Sequence, residues 1–414
     1  MEKRIVITGM GTLNPLGDNV KTYWDNLIDG VSGVRRVAYF DPSTFTSQIA
    51  GQVPDFDPQK AYKNFSKAKR LDRFVHYAAW ALKEAGEMSG LEGLIEKDPK
   101  RVGICIGSGI GGLSMHEKET ERKLTMGHRR ISPFYIPCII GNMASGYLAI
   151  EYGIKGANLS IQTACATANH AMAIGFMLIK NNIVDTMITG GSEAAITEIG
   201  LGGFANMRAL STKYNDTPEK ASRPFDKDRD GFVIAEGSGV LILEEYETAK
   251  KRGADILCEI CSFGMTGDAY DMVMPHPDGE GAQEAMRVAI DSAGINTDSI
   301  DYINAHGTAT PLGDIGETKA IKGVFKQDAK HLNISSTKSM TGHLLGAAAG
   351  VEAIATILAM KNNIIPPTIN IENQDPACDL NYTANEAVKR EVKIALSNSF
   401  GFGGHNSSVC FRKI

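Results

Sequence analysis

The stretches AMAIGFMLIKNNIV (residues 171–184) and EAIATILAMKNNII (residues 352–365) share a nearly all-apolar helix ending in Lys-Asn-Asn and an aliphatic pair, at an offset of 181 residues. A helix with no polar face belongs in a core that is covered all round. Each is preceded by small residues, Ile161-Gln-Thr-Ala-Cys-Ala-Thr167 in one half and Ile334-Ser-Ser-Thr-Lys-Ser-Met-Thr-Gly-His343 in the other. The chain therefore reads as two related strand–loop–helix units facing each other, a duplicated α/β architecture.

Working outward, strand and helix patterns alternate along all 414 residues. Strands are predicted at 3–9, 102–106, 184–190, 239–245, 256–263, 300–305, 332–336, 393–398 and 407–412. Leu71, Phe74, Val75, Ala78, Leu82 and Ala85 follow helical spacing and predict an amphipathic helix with Lys69, Arg70, Arg73 and Lys83 on its other face. No Pro/Ser-rich linker divides the chain, so the halves must pack together. The best seam lies near Lys250 to Asp255, giving halves 1–252 and 253–414.

Composition narrows the function. A formal net charge of −5 argues against a nucleic-acid binder, and 43% apolar with 22% charged residues is globular rather than disordered. The chain runs from Met1-Glu2-Lys3-Arg4 straight into a strand pattern, with no room for a signal h-region. The longest apolar stretches, 166–179 and 344–360, are broken by Asn169, His170, Glu352 and Thr356, which makes them core helices rather than membrane spans. Seven cysteines, odd in number and scattered, suit reduced thiols and a cytoplasmic setting.

Three motifs mimic chemistry. Asp226-Lys-Asp228-Arg-Asp230-Gly231 matches the first half of a calcium loop, but its twelfth position is Gly237, so ion-paired loop structure is the better reading. Gly107-Ser-Gly109-Ile-Gly-Gly112 satisfies a dinucleotide turn with no acidic strand end about 20 residues on, which leaves a loop built for close backbone approach. Cys258-Glu-Ile-Cys261 lies on a predicted strand, where i and i+3 point to opposite faces, and reads as core packing rather than a metal knuckle.

Cys165 is different. It stands at the start of the first buried helix, where backbone N–H groups and the helix dipole favour a thiolate. Asn304-Ala-His306-Gly-Thr308-Ala-Thr310 ends a strand, and Lys338-Ser-Met-Thr-Gly-His343 precedes the second buried helix. Both histidines fall where α/β sheets place reacting groups. A thiol with a histidine alone would also suit a Cys-His hydrolase; the second histidine and Lys338 argue against that class.

Four motifs in this order, Thr163-Ala-Cys165-Ala-Thr167, His306-Gly-Thr308-Ala-Thr310-Pro311-Leu-Gly-Asp314, Lys338-Ser-Met-Thr-Gly-His343-Leu-Leu-Gly346 and Asn398-Ser-Phe-Gly-Phe402-Gly-Gly, resemble the beta-ketoacyl-acyl-carrier-protein synthases, and among them the elongating synthases II. The likeness runs from Ile5 to the C-terminus. It implies the thiolase fold, duplicated halves in α/β/α/β/α layers, with the nucleophile in the first half and both histidines in the second. It implies a decarboxylative condensation of acyl-carrier with malonyl-carrier in fatty acid biosynthesis, with a polyketide-type ketosynthase as the alternative. Non-catalytic partner subunits of polyketide systems lack the nucleophile, which Cys165 supplies.

The resemblance also assigns roles. Cys165 carries the acyl group, its N–H and that of Phe402 form the oxyanion hole, and His306 and His343 donate to the enolate. Lys338 pairs with Glu317 and orders the histidine pocket. Thr308 and Thr310 bond the pantetheine arm, Ile110 lines the acyl pocket, and Phe402 is a gate between Gly401 and Gly403. No metal or organic cofactor is implied. The partners it implies are an acyl carrier protein and a second copy of the chain, whose pocket Phe134 reaches; because this otherwise acidic chain gathers basic residues at Lys69, Arg70, Arg129, Arg130 and Arg208, the acidic carrier is expected to dock there. Two departures, His405 where Thr is common and Ala168-Asn169 where Gly-Thr is common, bear on chain length rather than chemistry.

Overall fold

The computed structural model describes residues 3–414. Ten strands form one continuous sheet: β1 (Ile5–Leu13), β2 (Val102–Gly107), β3 (Asn158–Leu159), β4 (Thr186–Glu193), β5 (Gly237–Glu245), β6 (Cys258–Gly267), β7 (Tyr302–Asn304), β8 (Asn333–Ser335), β9 (Ile394–Gly401) and β10 (His405–Arg412). Their order is β8-β7-β9-β10-β6-β1-β5-β4-β2-β3. Within each group of five the order by sequence is third, second, fourth, fifth, first. The second strand runs parallel to both its neighbours, and the fifth antiparallel to both of its own. The two first strands meet antiparallel where Ile5 to Ile7 pair with Ile260 to Cys258. All nine predicted strands are present in this sheet; the pattern lacked β3, two exposed residues with no apolar alternation, and the short strands Val34–Arg36, Ile49–Gly51, Ile364–Ile365 and Val388–Lys389 that pair in two separate ribbons.

Four helices make the layers: α1 (Arg73–Ser89), α2 (Thr167–Lys180), α3 (Glu280–Ser292) and α4 (Ala348–Asn362). The repeated apolar segments are α2 and α4. They pack on each other and on both sheet halves, α2 against β4, β2 and β10 and α4 against β5 and β9. Every residue of α4 from Ala348 to Met360 is buried, which is why it needs no polar face. Outside, α1 covers β1 and β5 and α3 covers β6 and β10, completing five layers.

One placement differs from expectation. Asp72 caps α1 by accepting from the Phe74 N–H at 3.3 Å, so Lys69 and Arg70 precede the helix, after the single turn Phe65–Ala68, rather than riding on its outer face.

The duplication extends to backbone detail. Ala164 and Leu345, neither a glycine, both sit at φ +49. Each opens a 3-10 turn, Ala164–Ala166 and Leu345–Ala347, that runs into α2 and α4. The 181-residue offset is kept throughout, and Gly346 occupies the position equivalent to Cys165. Glu193, at the end of β4, ties the second turn to the glycine-rich loop: its carboxylate accepts from Ser108 Oγ (2.8 Å) and from the N–H groups of Gly109 (2.7 Å), Ile110 (3.2 Å) and Gly346 (3.0 Å). The amides a phosphate would need in the glycine-rich loop are thus already engaged by a carboxylate.

The other two mimics also resolve into structure. Asp226 binds Arg223 and the N–H groups of Asp228, Glu372 and Asn373, while Asp230 binds Ser211, Thr212 and Lys213. Their carboxylates therefore serve different loops. Cys258 belongs to the central core and Cys261 packs against another, on opposite faces of β6.

Helix α4 approaches β5 backbone to backbone. A Cβ on Gly239 would lie 2.4 Å from the carbonyl carbon of Gly350, with no flexible side chain to give way. Gly239→Ala should therefore lower stability by about 1–3 kcal/mol. Thermal denaturation checks this; an unchanged melting temperature would show that the layers slide freely.

Candidate active site

The nucleophile's position follows from its turn. The 3-10 turn before α2 holds Cys165 at 7% exposure on a cavity of about 550 Å³. Its carbonyl accepts from Ser399 Oγ at 2.9 Å, anchoring the turn to β9. At the end of that strand only a glycine fits, since a Cβ on Gly401 would lie 3.0 Å from the Cys165 nitrogen. The next residue, Phe402, directs its backbone N–H at the Cys165 sulfur.

His306 and His343 converge on the same point. One sulfur and one ring nitrogen from each histidine lie within 4.8 Å of one another. His343 Nε2 is 3.0 Å from Cys165 Sγ, and the imidazole rings meet edge to face with centroids 5.3 Å apart. The backbone fixes the tautomer of His343: the Leu345 N–H donates to Nδ1 at 3.3 Å, leaving Nε2 as the protonated nitrogen. The Lys338 ammonium, 3.4 Å from His306 Nδ1, does the same for His306. Burial, and then the Lys338 charge, hold both histidines well below the usual 6.5. Two neutral N–H donors therefore face the thiol. Burial pushes the Cys165 thiol up to about 12, against the pull of Lys338 and the Phe402 N–H, so the resting nucleophile is a protonated thiol.

The ion pair expected between Lys338 and Glu317 is not formed. Lys338 pairs with Glu352 of α4, the charged residue interrupting the second apolar repeat. Glu317 instead accepts from the N–H groups of His306 (2.9 Å) and Gly307 (2.8 Å) and from Asn398 Nδ2 (3.3 Å), which holds the His306 loop against β9. The physical reason is saturation: both oxygens of Glu317 already accept from backbone donors. Glu352 and Glu193 are the site residues that motif reasoning missed, and an acidic residue in an otherwise apolar element was the available signal for both.

Ile110, Thr308, Thr310, Phe402 and Arg208 line the cavity with the three central residues. Thr308 and Thr310 join hydroxyls at 3.0 Å. Phe134 does not line it; the ring is 43% exposed and lies under the Arg70 guanidinium at 4.3 Å. That contact brings Lys69 and Arg70 beside the segment that follows Arg129 and Arg130, all four exposed, while Arg208 stands apart on the cavity wall. Among the described residues Cys165, His306 and His343 are the one group of three metal-type side chains this close. The Lys338 ammonium behind His306, and the protons on the facing nitrogens, disfavour a divalent cation there.

Comparison with known proteins agrees with this geometry. Residues 2–249 match the beta-ketoacyl synthase N-terminal domain and residues 257–372 the C-terminal domain. The chain belongs to the beta-ketoacyl synthase family. It is 49% identical to 3-oxoacyl-acyl-carrier-protein synthase 2 of Coxiella burnetii over 415 residues, covering 100% of each chain. It is 46% identical to the Staphylococcus aureus protein of the same name over 411 residues, covering 99% of this chain and 98% of that one. A beta-ketoacyl synthase structure from Burkholderia phymatum superposes at TM-score 0.92 with 33% identity over 100% of both chains. A type II polyketide ketosynthase, solved with its acyl-carrier protein and a hexaketide, gives TM-score 0.92 and 32% identity over 100% of both. The thiolase fold is therefore the fold of this chain.

The depressed histidines fix a pH response. Above about 6.5 they are neutral whether the chain is folded or unfolded and contribute no pH dependence; below it the unfolded chain takes up protons that the folded chain refuses. The histidines' own contribution should accordingly be flat from pH 8 to 7 and fall as pH drops below about 6.5, against the opposite contribution of carboxyls that burial raises, Asp314 and Glu84 to about 7. Melting temperatures of the unaltered chain and of His306→Gln between pH 8 and 5 isolate it: the variant should lose less stability on acidification, and identical pH dependence in the two would contradict a neutral buried His306.

Proposed function

We propose that this chain elongates carrier-bound acyl groups by decarboxylative condensation, with Cys165 as acyl acceptor and His306 and His343 as the decarboxylation site. The carrying observation is a thiol faced by two neutral imidazole N–H donors and one backbone N–H. In the first half-reaction Cys165 Sγ attacks the acyl thioester, the C–S bond to the carrier breaks, and the thiol proton ends on the departing pantetheine thiol. The N–H groups of Cys165 and Phe402 receive the oxyanion. In the second, malonyl-carrier loses CO2, and its electron pair passes to an enolate oxygen held by His306 and His343. The carbanion attacks the acyl carbonyl, the bond to Cys165 breaks, and Sγ regains a proton from water. Lys338, held by Glu352, keeps both imidazoles neutral, and Glu317 positions His306. Thr308 and Thr310 offer hydroxyls to the arm of the substrate, and Ile110 bounds the acyl chain.

The first half, 1–252, thus supplies the nucleophile and the second, 253–414, the histidines. Names of relatives at 46–49% identity favour fatty acid elongation over a polyketide role. The carrier docks on Lys69, Arg70, Arg129 and Arg130, with Arg208 at the cavity wall. A homodimer is supported by β3, an exposed edge strand with no outer neighbour, and by exposed Ile136 and Ile150, and it would place Phe134 at the partner's cavity. Among the described residues no helix is long and apolar enough to cross a membrane, and a cytoplasmic setting fits the seven free cysteines.

Cys165→Gln separates the half-reactions. Its carboxamide imitates the acylated thiol, so labelled malonyl-carrier should still release CO2 while no 3-oxoacyl product forms. Folded variant protein without CO2 release would refute the two-histidine assignment. Adding Lys69→Glu and Arg70→Glu should raise the KM of that CO2 release with little change in kcat; an unchanged KM at low ionic strength would remove the docking surface.

A further inference from the structure

His170 is a buried histidine, one helical turn beyond the nucleophile, that the chemistry above does not use. Its ring bridges two backbone segments. The Thr163 hydroxyl lies 2.6 Å from Nδ1, and the ring lies within reach of the backbone carbonyl of Asn406. With Nε2 donating to that carbonyl, Nδ1 accepts from the Thr163 hydroxyl. Thr163 opens the turn that carries Cys165, and its N–H is held in turn by Thr167 Oγ1 at 2.9 Å. Asn406 pairs with Phe400 in the β9–β10 hairpin, whose closing pair is Gly401 with His405 and whose tip is Phe402-Gly-Gly404, with Gly403 and Gly404 at φ +80 and +71. Glycines at the tip leave it free to swing, so its root is what must be fixed.

We propose that His170 is a positioning residue for acyl transfer: it clamps the Cys165 turn to the root of the Phe402 hairpin, so that the N–H groups of Cys165 and Phe402 converge on one thioester oxygen. This rests on the reading of those two N–H groups as the oxyanion hole. The Ser399 Oγ bond to the Cys165 carbonyl and the Asn169 Nδ2 bond to the Ser397 carbonyl (3.2 Å) tie α2 to the body of β9; His170 is the tie to β10, on the other side of the tip. The ring of His405 stands edge-on to it at 6.4 Å, packing the clamp on the hairpin side. Burial, with His405 beside it, brings His170 down to about 4, so the ring stays neutral and keeps one donor and one acceptor.

The test follows acylation of Cys165 by intact mass after rapid mixing with acyl-carrier, for the unaltered enzyme, His170→Ala, His170→Gln and Thr163→Val. A donor displaced by a fraction of an ångström to 1 Å costs roughly 10–100-fold in rate. His170→Ala should therefore slow acylation by roughly 10–100-fold with half-saturation by acyl-carrier unchanged, and Thr163→Val should slow it less. His170→Gln, whose amide can still donate to Asn406, should recover most of the rate. A purely space-filling role would instead give equal losses for His170→Ala and His170→Gln, and that result overturns the proposal. So does an unchanged rate in folded His170→Ala, or a loss expressed only as weaker saturation. No acylation of the unaltered enzyme would overturn the functional reading and this inference with it.

Discussion

The side chain of Lys338 is 1% exposed, and its ammonium is compensated by Glu352, 3% exposed, on the helix between the two sheet halves. A charge so deep is tolerated only with a partner, and removing either member would strand the other at a cost of about 3–5 kcal/mol. The arrangement serves the cavity. The ammonium stands against His306 Nδ1 and raises the cost of protonating either imidazole, so both present N–H donors without positive charge. An imidazolium in their place would hold an enolate too tightly and would repel the cation that keeps the pocket in order. Helix α4 supplies the partner because Glu317, the other carboxylate near Lys338, is taken up by backbone donors, which explains the single carboxylate in a buried apolar helix.

Duplication supplies the frame and asymmetry supplies the chemistry. The left-handed residue, the 3-10 turn and the apolar helix recur 181 residues apart, so the two helix starts meet at the centre of the molecule. Only one start carries a nucleophile. At the other, a Cβ on Gly346 would lie 2.3 Å from the Gly109 nitrogen and 2.8 Å from Glu193 Oε2. The second start has thus become a backbone contact, and its neighbour His343 crosses to the first. Glu193 holds the second turn and the glycine-rich loop with one carboxylate, coupling the wall of the cavity to the start of α4.

Much of this was legible in the residues. The apolar repeat identified the central layer because a helix without a polar face has one kind of home, and β-branched runs marked nine of the ten strands of the large sheet. Cys165, His306 and His343 stood out by residue type at strand and helix ends. What stayed hidden was pairing. Lys338 has two acidic candidates within reach, Glu317 and Glu352, and only the backbone N–H groups that saturate Glu317 decide between them. Lys69 and Arg70 fit helical spacing, yet Asp72 caps the helix after them. The bridge from Thr163 through His170 to Asn406 spans more than 230 residues and leaves no local pattern at all.

The central claim is that acyl transfer and decarboxylation use different atoms of one cavity. The direct measurement is His306→Ala mixed separately with acyl-carrier and with labelled malonyl-carrier, following covalent mass on Cys165 in the first case and CO2 in the second. His306 does not contact the sulfur, so acylation should proceed within a few-fold of the unaltered rate while CO2 release falls by 100-fold or more, roughly the cost of one lost donor at a developing oxyanion. Equal losses in both assays would contradict the account, because the two half-reactions would then share a single machine.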